Sequence, residues 1–164
     1  MHLSLNTPYT VPGQLDPLRE FEKKCLLNNS LYEQIHNAAG SDVELTQSQT
    51  VGDQYIRDAI IHPRPEAVPG AIKAFVGSDA LDFRERTTYD LKTHRGQTET
   101  SLLGGPFKGK VRAKISFSVR SAAPFQDRTV VHSLDADINI PASGFLQSHF
   151  ILYSFLSSGK PASG

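Results

Sequence analysis

The sequence predicts an α+β fold in which an antiparallel sheet of about seven strands curls around an apolar C-terminal helix. The clearest strand is Thr129–Ile140, where largely apolar positions alternate with polar ones, as they do in a strand with one buried face. The next segment, Phe145–Leu156, carries apolar side chains on almost every side. A helix of that kind must be enclosed by other elements, and a curved sheet would enclose it.

The N-terminal part of the chain predicts one strand followed by two helices. Residues alternate over Leu3–Val11, which contains Pro8, a residue that a sheet accepts only on an edge strand or at a bulge. Asp16 followed by Pro17 is typical of a helix N-cap and first helical position. The segment Ser30–Glu33 has the spacing of a capping box, so the second helix is predicted to begin there.

Further strands fill the rest of the chain. The segments with alternating character are Val43–Val51, Gln54–His62, Leu81–Leu91, Gln97–Leu103, Val111–Arg120 and Thr129–Ile140. Hairpin-length connections between them indicate antiparallel neighbours, and a short helix is expected over Pro69–Phe75. We expect one domain over residues 1–156 and a flexible tail over residues 157–164, which is small and polar.

Composition excludes several classes of function. Lys and Arg number 17, as do Asp and Glu, so the chain has no basic excess and nucleic acid is not expected as a partner. The single cysteine, Cys25, cannot form an internal disulfide. The histidines lack ligand spacing, so we expect no metal and no cofactor. No apolar stretch reaches the ~20 residues of a spanning helix, and no signal peptide is evident, so a soluble cytoplasmic protein is expected.

A glycine-rich segment, Gly104–Lys110, has the glycine and lysine spacing of a phosphate-binding loop. The next residue is Val111 where such a loop needs Ser or Thr, and a strand rather than a helix follows. The pattern therefore favours a hairpin connection over a nucleotide site.

Four segments carry a resemblance to a known superfamily: Leu26–Tyr32, Ala67–Ile72, Phe83–Asp90 and Ile138–Pro141. Together with the order of elements, they resemble the helix-grip fold of the START-like (SRPBCC) superfamily, which includes lipid-transfer, plant-allergen and polyketide-cyclase-like proteins. The nearest likeness is to a small, poorly characterised branch. The resemblance covers residues 1–156 and implies a sheet that grips the last helix around a ligand cavity.

The implied cavity gives a set of candidate ligand-binding residues. They are Leu81, Phe83, Glu85, Tyr89, Phe117, His132, Leu134, Phe145, His149 and Tyr153. Glu85 and His132 interrupt an otherwise apolar inner face, so they are candidates to orient a polar ligand group or to act as acid and base. The plainer interpretation is a core histidine satisfied by a neighbour and a glutamate turned outward by a bulge. Asp135 and Asp137 are expected on the solvated outer face.

The favoured function is binding or carriage of a lipid-like or other hydrophobic small molecule without catalysis. One alternative is a cyclase, dehydratase or hydrolase that uses Glu85 and His132. Another is a protein-interaction module with a filled cavity. The terminal helix has no charged residue from Pro141 through Gly159, which also allows a homo-oligomer through that helix or a transient contact with a membrane.

Overall fold

The structure is a computed structural model of the 164-residue chain. It describes residues 1–68, 70, 73, 81–105, 107–122 and 128–139. The predicted terminal helix over Phe145–Leu156 and the tail of residues 157–164 lie outside the described residues, as does most of the short helix predicted over Pro69–Phe75.

Seven strands and two short α-helices make up the described fold. The strands are β1 (His2–Thr10), β2 (Ser41–Val51), β3 (Gln54–Pro63), β4 (Phe83–Asp90), β5 (Arg95–Leu102), β6 (Arg112–Ser121) and β7 (Thr129–Asn139). The helices are α1 (Pro17–Phe21), which continues as a π-helical turn over Glu22–Leu26, and α2 (Asn29–Ala38). A 3₁₀ turn covers Pro65–Ala67.

All the strands join one open, curved antiparallel sheet in the order β1-β7-β6-β5-β4-β3-β2. The α+β class and the seven-stranded antiparallel sheet are thus confirmed. β1 and β2 are the edges, so Pro8 lies on an edge strand, opposite Val131. An edge strand tolerates proline because it has no second neighbour to which every N–H must donate.

Residues paired across neighbouring strands share a face, so the register separates an inner face from an outer one. Among the described residues the inner face holds three buried clusters, of which the third consists of Ile115, Leu134 and Ala136 and the other two each include a helix residue. The first contains Ala59, Ile61, Phe83, Leu102, Val111, Ala113 and Ile138, with Tyr32 from α2. The second contains Val11, Tyr55, Tyr89, Val119 and Val130, with Phe21 from α1. Both helices therefore cover the inner face of the sheet.

The outer face carries a row of alternating charges that crosses the sheet. In order of pairing, the row is Asp58, Arg86, Glu99, Lys114, Asp137 and His2. The Asp58 carboxylate is covered by two arginines, with Arg84 Nη2 at 3.1 Å and Arg86 Nη1 at 3.3 Å. Asp135 and Asp137 lie on this face, as expected, so they do not form an acid–base pair in the interior.

The helix caps agree with the sequence in one case and differ in the other. Asp16 caps α1, accepting a hydrogen bond from the Leu18 N–H over 3.4 Å. The predicted start of the second helix at Ser30 is wrong. Asn28 is the N-cap, and its Oδ1 accepts from the Leu31 N–H over 3.1 Å. Asparagine is among the strongest N-cap residues, and the N-cap lies two residues before the one that the capping-box spacing indicates.

Candidate functional site

A cavity of about 90 Å³ lies between the inner face of the sheet, the π-helical turn and α2. Its described lining mixes apolar, aromatic and polar side chains. The lining residues are Cys25, Leu26, Tyr32, Ile35, Tyr55, Arg57, Glu85, Thr87, Tyr89, Thr98, Thr100, Ile115, Phe117, His132 and Leu134. Sites that enclose organic ligands are built in this way, from mostly apolar walls with a few polar groups.

The structure brings half of the predicted site residues together at this cavity. They are Glu85, Tyr89, Phe117, His132 and Leu134. Leu81 and Phe83 instead pack in the first core cluster, where Phe83 is 7% exposed. The remaining three, Phe145, His149 and Tyr153, lie outside the described residues.

One wall of the cavity depends on a glycine between two aromatic rings. Gly96 pairs with Tyr89 on one side and with Phe117 on the other. The two rings are stacked over it, with centroids 5.7 Å apart and an interplanar angle of 4°. A Cβ at Gly96 would come within 2.6 Å of both Phe117 Cζ and the Thr88 carbonyl oxygen. The absence of a side chain at Gly96 is what lets Phe117 lie flat against the sheet.

Glu85 is the centre of a polar cluster at the cavity. It pairs in regular register with Ala59 and Thr100, so no bulge turns it outward, and its side chain is 13% exposed. Its Oε1 accepts a hydrogen bond from the Tyr32 hydroxyl over 2.9 Å and lies 3.8 Å from Nε2 of His36.

The environment of Glu85 favours its charged form. Burial acts to raise its pKa, but the contacts with His36 and Tyr32 and the charge of Arg57 outweigh burial. The net pKa of Glu85 therefore lies below its ordinary value. A side chain held in this way is a carboxylate at neutral pH.

Arg57 adds a buried positive charge beside this carboxylate. The residue is 7% exposed, and its guanidinium carbon lies 3.7 Å from the centroid of the Tyr32 ring. Its Nη1 donates to the Leu26 carbonyl oxygen and to Oδ1 of Asn29, both at the long distance of 3.4 Å. Its Nε is buried with no hydrogen-bond partner among the described residues. Burial of a charged group without full pairing is costly, so this arrangement is unusual.

A polar network fixes the start of α2 against the sheet next to Arg57. Asn29 accepts a hydrogen bond from the Tyr55 hydroxyl over 2.9 Å and donates to Ser48 Oγ over 2.7 Å. Ser48 faces inward because the pairing of β2 with β3 shifts by one residue between Leu45 and Gln47. The bulge thus helps to position the cluster, since it places a hydroxyl where a strict alternation would not.

A second polar cluster ties the π-helical turn to the sheet. Glu22 accepts a hydrogen bond from the Tyr89 hydroxyl over 2.8 Å and also contacts Nδ1 of His94. Burial and the neighbouring Glu22 raise the pKa of Tyr89 above its ordinary value, so the phenol keeps its proton and remains a donor. Isolated π-helical turns are frequent at functional sites, and here the turn also supplies Cys25 and Leu26 to the cavity wall.

His132 lies in an aromatic environment. It is 4% exposed and contacts the rings of Tyr9, Phe21 and Phe117, at centroid distances of 6.5, 5.8 and 5.8 Å. Burial lowers the pKa of His132 to about 4, so the ring is neutral at pH 7. Its Nε2 has no hydrogen-bond partner among the described residues, and the expectation that a neighbour satisfies this nitrogen is not met there.

Glu85 and His132 do not form a pair in the sheet. The row of Glu85 reaches β7 at Ile138, three strands away, and His132 lies six residues further along β7. The histidine next to Glu85 is His36, on α2.

Sequence reasoning missed the partners of Glu85. Tyr32 and His36 are one turn apart on α2, and their rings meet edge to face at 4.5 Å. Arg57 occupies an inward position in the alternation Tyr55, Arg57, Ala59, a signal that the sequence does contain. Among the described residues, no group of three potential ligands could hold a metal ion, and no helix is long and apolar enough to cross a membrane.

No protein-family model matches the chain, and no curated protein matches it significantly. Solved structures do resemble it. The solution structure of the 18 kDa protein CC1736 from Caulobacter crescentus has a TM-score of 0.47 and 12% identity, over 96% of this chain and 88% of that one. The crystal structure of TTHA0849 from Thermus thermophilus has a TM-score of 0.48 and 13% identity, over 93% of this chain and 84% of that one. The crystal structure of Ara h 8.0201 has a TM-score of 0.47 and 9% identity, over 96% of this chain and 94% of that one. At these values the likeness assigns no function.

Proposed function

We propose that the protein binds a small hydrophobic molecule that carries one polar group, in the cavity between the sheet and the helices. The observation that carries this proposal is the composition of the cavity wall. Apolar and aromatic side chains such as Leu134, Ile115 and Phe117 share it with a polar cluster around Glu85 and Arg57. An apolar ligand body would be desolvated by the first group, and its polar end would be oriented by the second.

The size of the cavity limits the ligand. Its volume of about 90 Å³ is smaller than that of sites which enclose drug-sized molecules, roughly 300–1,000 Å³. Described residues alone do not enclose a whole lipid in this conformation. The cavity suits a molecule of a few heavy atoms or one end of a longer hydrophobic molecule. If the protein carries a lipid-like molecule, only one end of that molecule would occupy the cavity.

The catalytic alternative has weaker support. Its two proposed residues, Glu85 and His132, lie on well-separated rows of the sheet. The lowered pKa of Glu85 makes this carboxylate a weak base at neutral pH. The lowered pKa of His132 keeps its ring neutral, so the ring is not available as an imidazolium acid. The filled-cavity alternative is also weaker, because the described side chains leave the cavity open.

A titration with small alcohols tests the proposal. Butan-1-ol and phenol each combine an apolar body with one hydroxyl, and amide chemical shifts report where they bind. We expect saturable shifts at lining residues such as Thr87, Thr100 and Leu134. The variant Thr100→Leu places a larger side chain in the cavity and should abolish them. Thr88→Leu is the matched control, since Thr88 pairs with Gln97 and Ile56 on the outer face.

Two results would overturn the proposal. One is the absence of saturable shifts at the lining residues of the wild-type protein. The other is equal binding to the wild type and to Thr100→Leu, with Thr100→Leu shown to be folded by its dispersed amide spectrum.

A further inference from the structure

Arg57 differs from the other arginines that face the neighbouring strands. Arg84 and Arg86 both pair with Asp58 on the outer face, although their side chains are 52% and 45% exposed. Arg57 is 7% exposed, yet no carboxylate among the described residues lies within ion-pair distance of it. The most deeply buried of these three guanidinium groups is therefore the one without a direct counter-charge.

The one carboxylate that shares the cavity with Arg57 is engaged elsewhere. Glu85 accepts the Tyr32 hydroxyl on Oε1, and the same oxygen faces Nε2 of His36. Glu85 acts on Arg57 only through space, and the Nη1 bonds of Arg57 are both long. The Nε of Arg57 is buried without a hydrogen-bond partner among the described residues, and the residue itself lines the cavity.

We propose that Arg57 is the anchor for a ligand carboxylate, so that the cavity selects small monocarboxylic acids with an apolar body. This inference rests on the proposed binding function and narrows it to a chemical class. A guanidinium presents its donors in a planar fork that matches the two oxygens of a carboxylate. Arg57 stacks on the ring of Tyr32, which holds the plane of the fork in place. Such a ligand would place a carboxylate within ion-pair distance of Arg57 and would give its guanidinium a further acceptor.

Glu85 shapes the same selection. A second negative charge on a ligand would be repelled by the Glu85 carboxylate. A dicarboxylate should therefore bind less tightly than a monocarboxylate of equal size. The apolar walls provided by Ile115, Phe117 and Leu134 would hold the rest of the molecule.

Pairs of nearly isosteric probes test the inference. Isobutyrate is compared with isobutyramide, and benzoate with benzamide, by calorimetry at neutral pH. We expect each acid to bind the wild-type protein at least about tenfold more tightly than its amide, which is the range of a hydrogen bond to a charged group. Arg57→Gln should remove the preference, and Arg57→Lys should keep part of it. Arg84→Gln, on the outer face, is the matched control and should leave the preference unchanged.

The outcomes separate this inference from the function on which it rests. If the acids and amides bind the wild type equally well, or only the amides bind, carboxylate selection is overturned while cavity binding stands. The same holds if butan-1-ol and phenol bind but neither acids nor amides do. If none of these probes binds, the proposed function fails too. Since the acid–amide comparison uses the wild-type protein, it decides the matter even if Arg57→Gln does not fold.

Discussion

The Tyr32 hydroxyl donates a hydrogen bond to Oε1 of Glu85 over 2.9 Å, which joins the first turn of α2 to the centre of β4. Tyr32 is 6% exposed, so water does not readily replace this bond. The contact brings together residues 53 positions apart and sets the polar side of the cavity.

Removal of this hydroxyl should destabilise the protein. In Tyr32→Phe the Glu85 carboxylate loses a donor in a mostly buried position, and we expect a loss of about 1–3 kcal/mol in the free energy of unfolding. Urea denaturation measures it. The double variant with Glu85→Leu, which removes the acceptor, completes a mutant cycle, and a coupling energy near zero would contradict the importance of the bond.

Glu85 should make the free energy of unfolding depend on pH in the acid range. Its pKa in the folded protein lies below the ordinary value of 4.5, so the folded state favours the carboxylate more than the unfolded state does. That stabilisation is complete above the unfolded pKa and is lost as the pH falls through the folded pKa. Between about pH 5 and about pH 3, Glu85→Gln should therefore lose less stability than the wild type. Urea denaturation across this range measures the difference, and equal slopes in the two proteins would refute the prediction.

His132 should make the free energy of unfolding depend on pH in a higher range. Its pKa falls from 6.5 to about 4 on folding, so between these pH values the unfolded state binds a proton that the folded state does not bind. The sign follows: stability declines as the pH falls from about 6.5 towards about 4, by an amount on the order of 3 kcal/mol. In His132→Phe this decline should be much smaller.

The control for this window is His62→Gln. The pKa of His62 is raised by Asp82, so its effect has the opposite sign, and its removal cannot reduce the decline. Thermal or urea unfolding across the window provides the measurement. An unchanged slope in a folded His132→Phe protein would show that burial does not hold His132 neutral.

Gly96 should be intolerant of even a methyl group. Gly96→Ala would place a Cβ 2.6 Å from the Thr88 carbonyl oxygen, and backbone atoms cannot rotate away as a side chain does. We expect a loss of about 2 kcal/mol or more and displacement of the Phe117 ring from Tyr89. Unfolding measurements and the aromatic ring contacts seen by NMR test both parts. Gly70→Ala is the control, because a Cβ there meets no atom within 4 Å; comparable losses in the two variants would contradict the steric argument.

The strands were predictable because a strand with one buried face carries apolar residues at every second position of its sequence. β7 shows this most clearly, with Val130, Leu134 and Ala136 buried and Asp135 and Asp137 exposed. The bulge in β2 was not predicted, because Leu45–Gln47 contains no glycine or other residue that demands one. The cap at Asn28 was missed because Ser30, two residues later, also has the features of an N-cap residue.

The polar cluster was only half predictable. The alternation in β4 points Glu85 inward, and that much was clear from the sequence. Its partners come from α2 and β3, and which helix residues meet which strand residues depends on how α2 docks on the sheet. Docking is set by the shapes of packed side chains, which a one-dimensional pattern does not contain.

The most direct test of cavity binding is a crystal structure of the protein in saturating phenol. Electron density for the ring is expected in the cavity, in contact with Phe117 and Leu134 and with its hydroxyl within hydrogen-bond distance of the Glu85–Arg57 cluster. Ordered water alone in the cavity at saturating phenol, with phenol absent from these walls, would contradict the proposed binding.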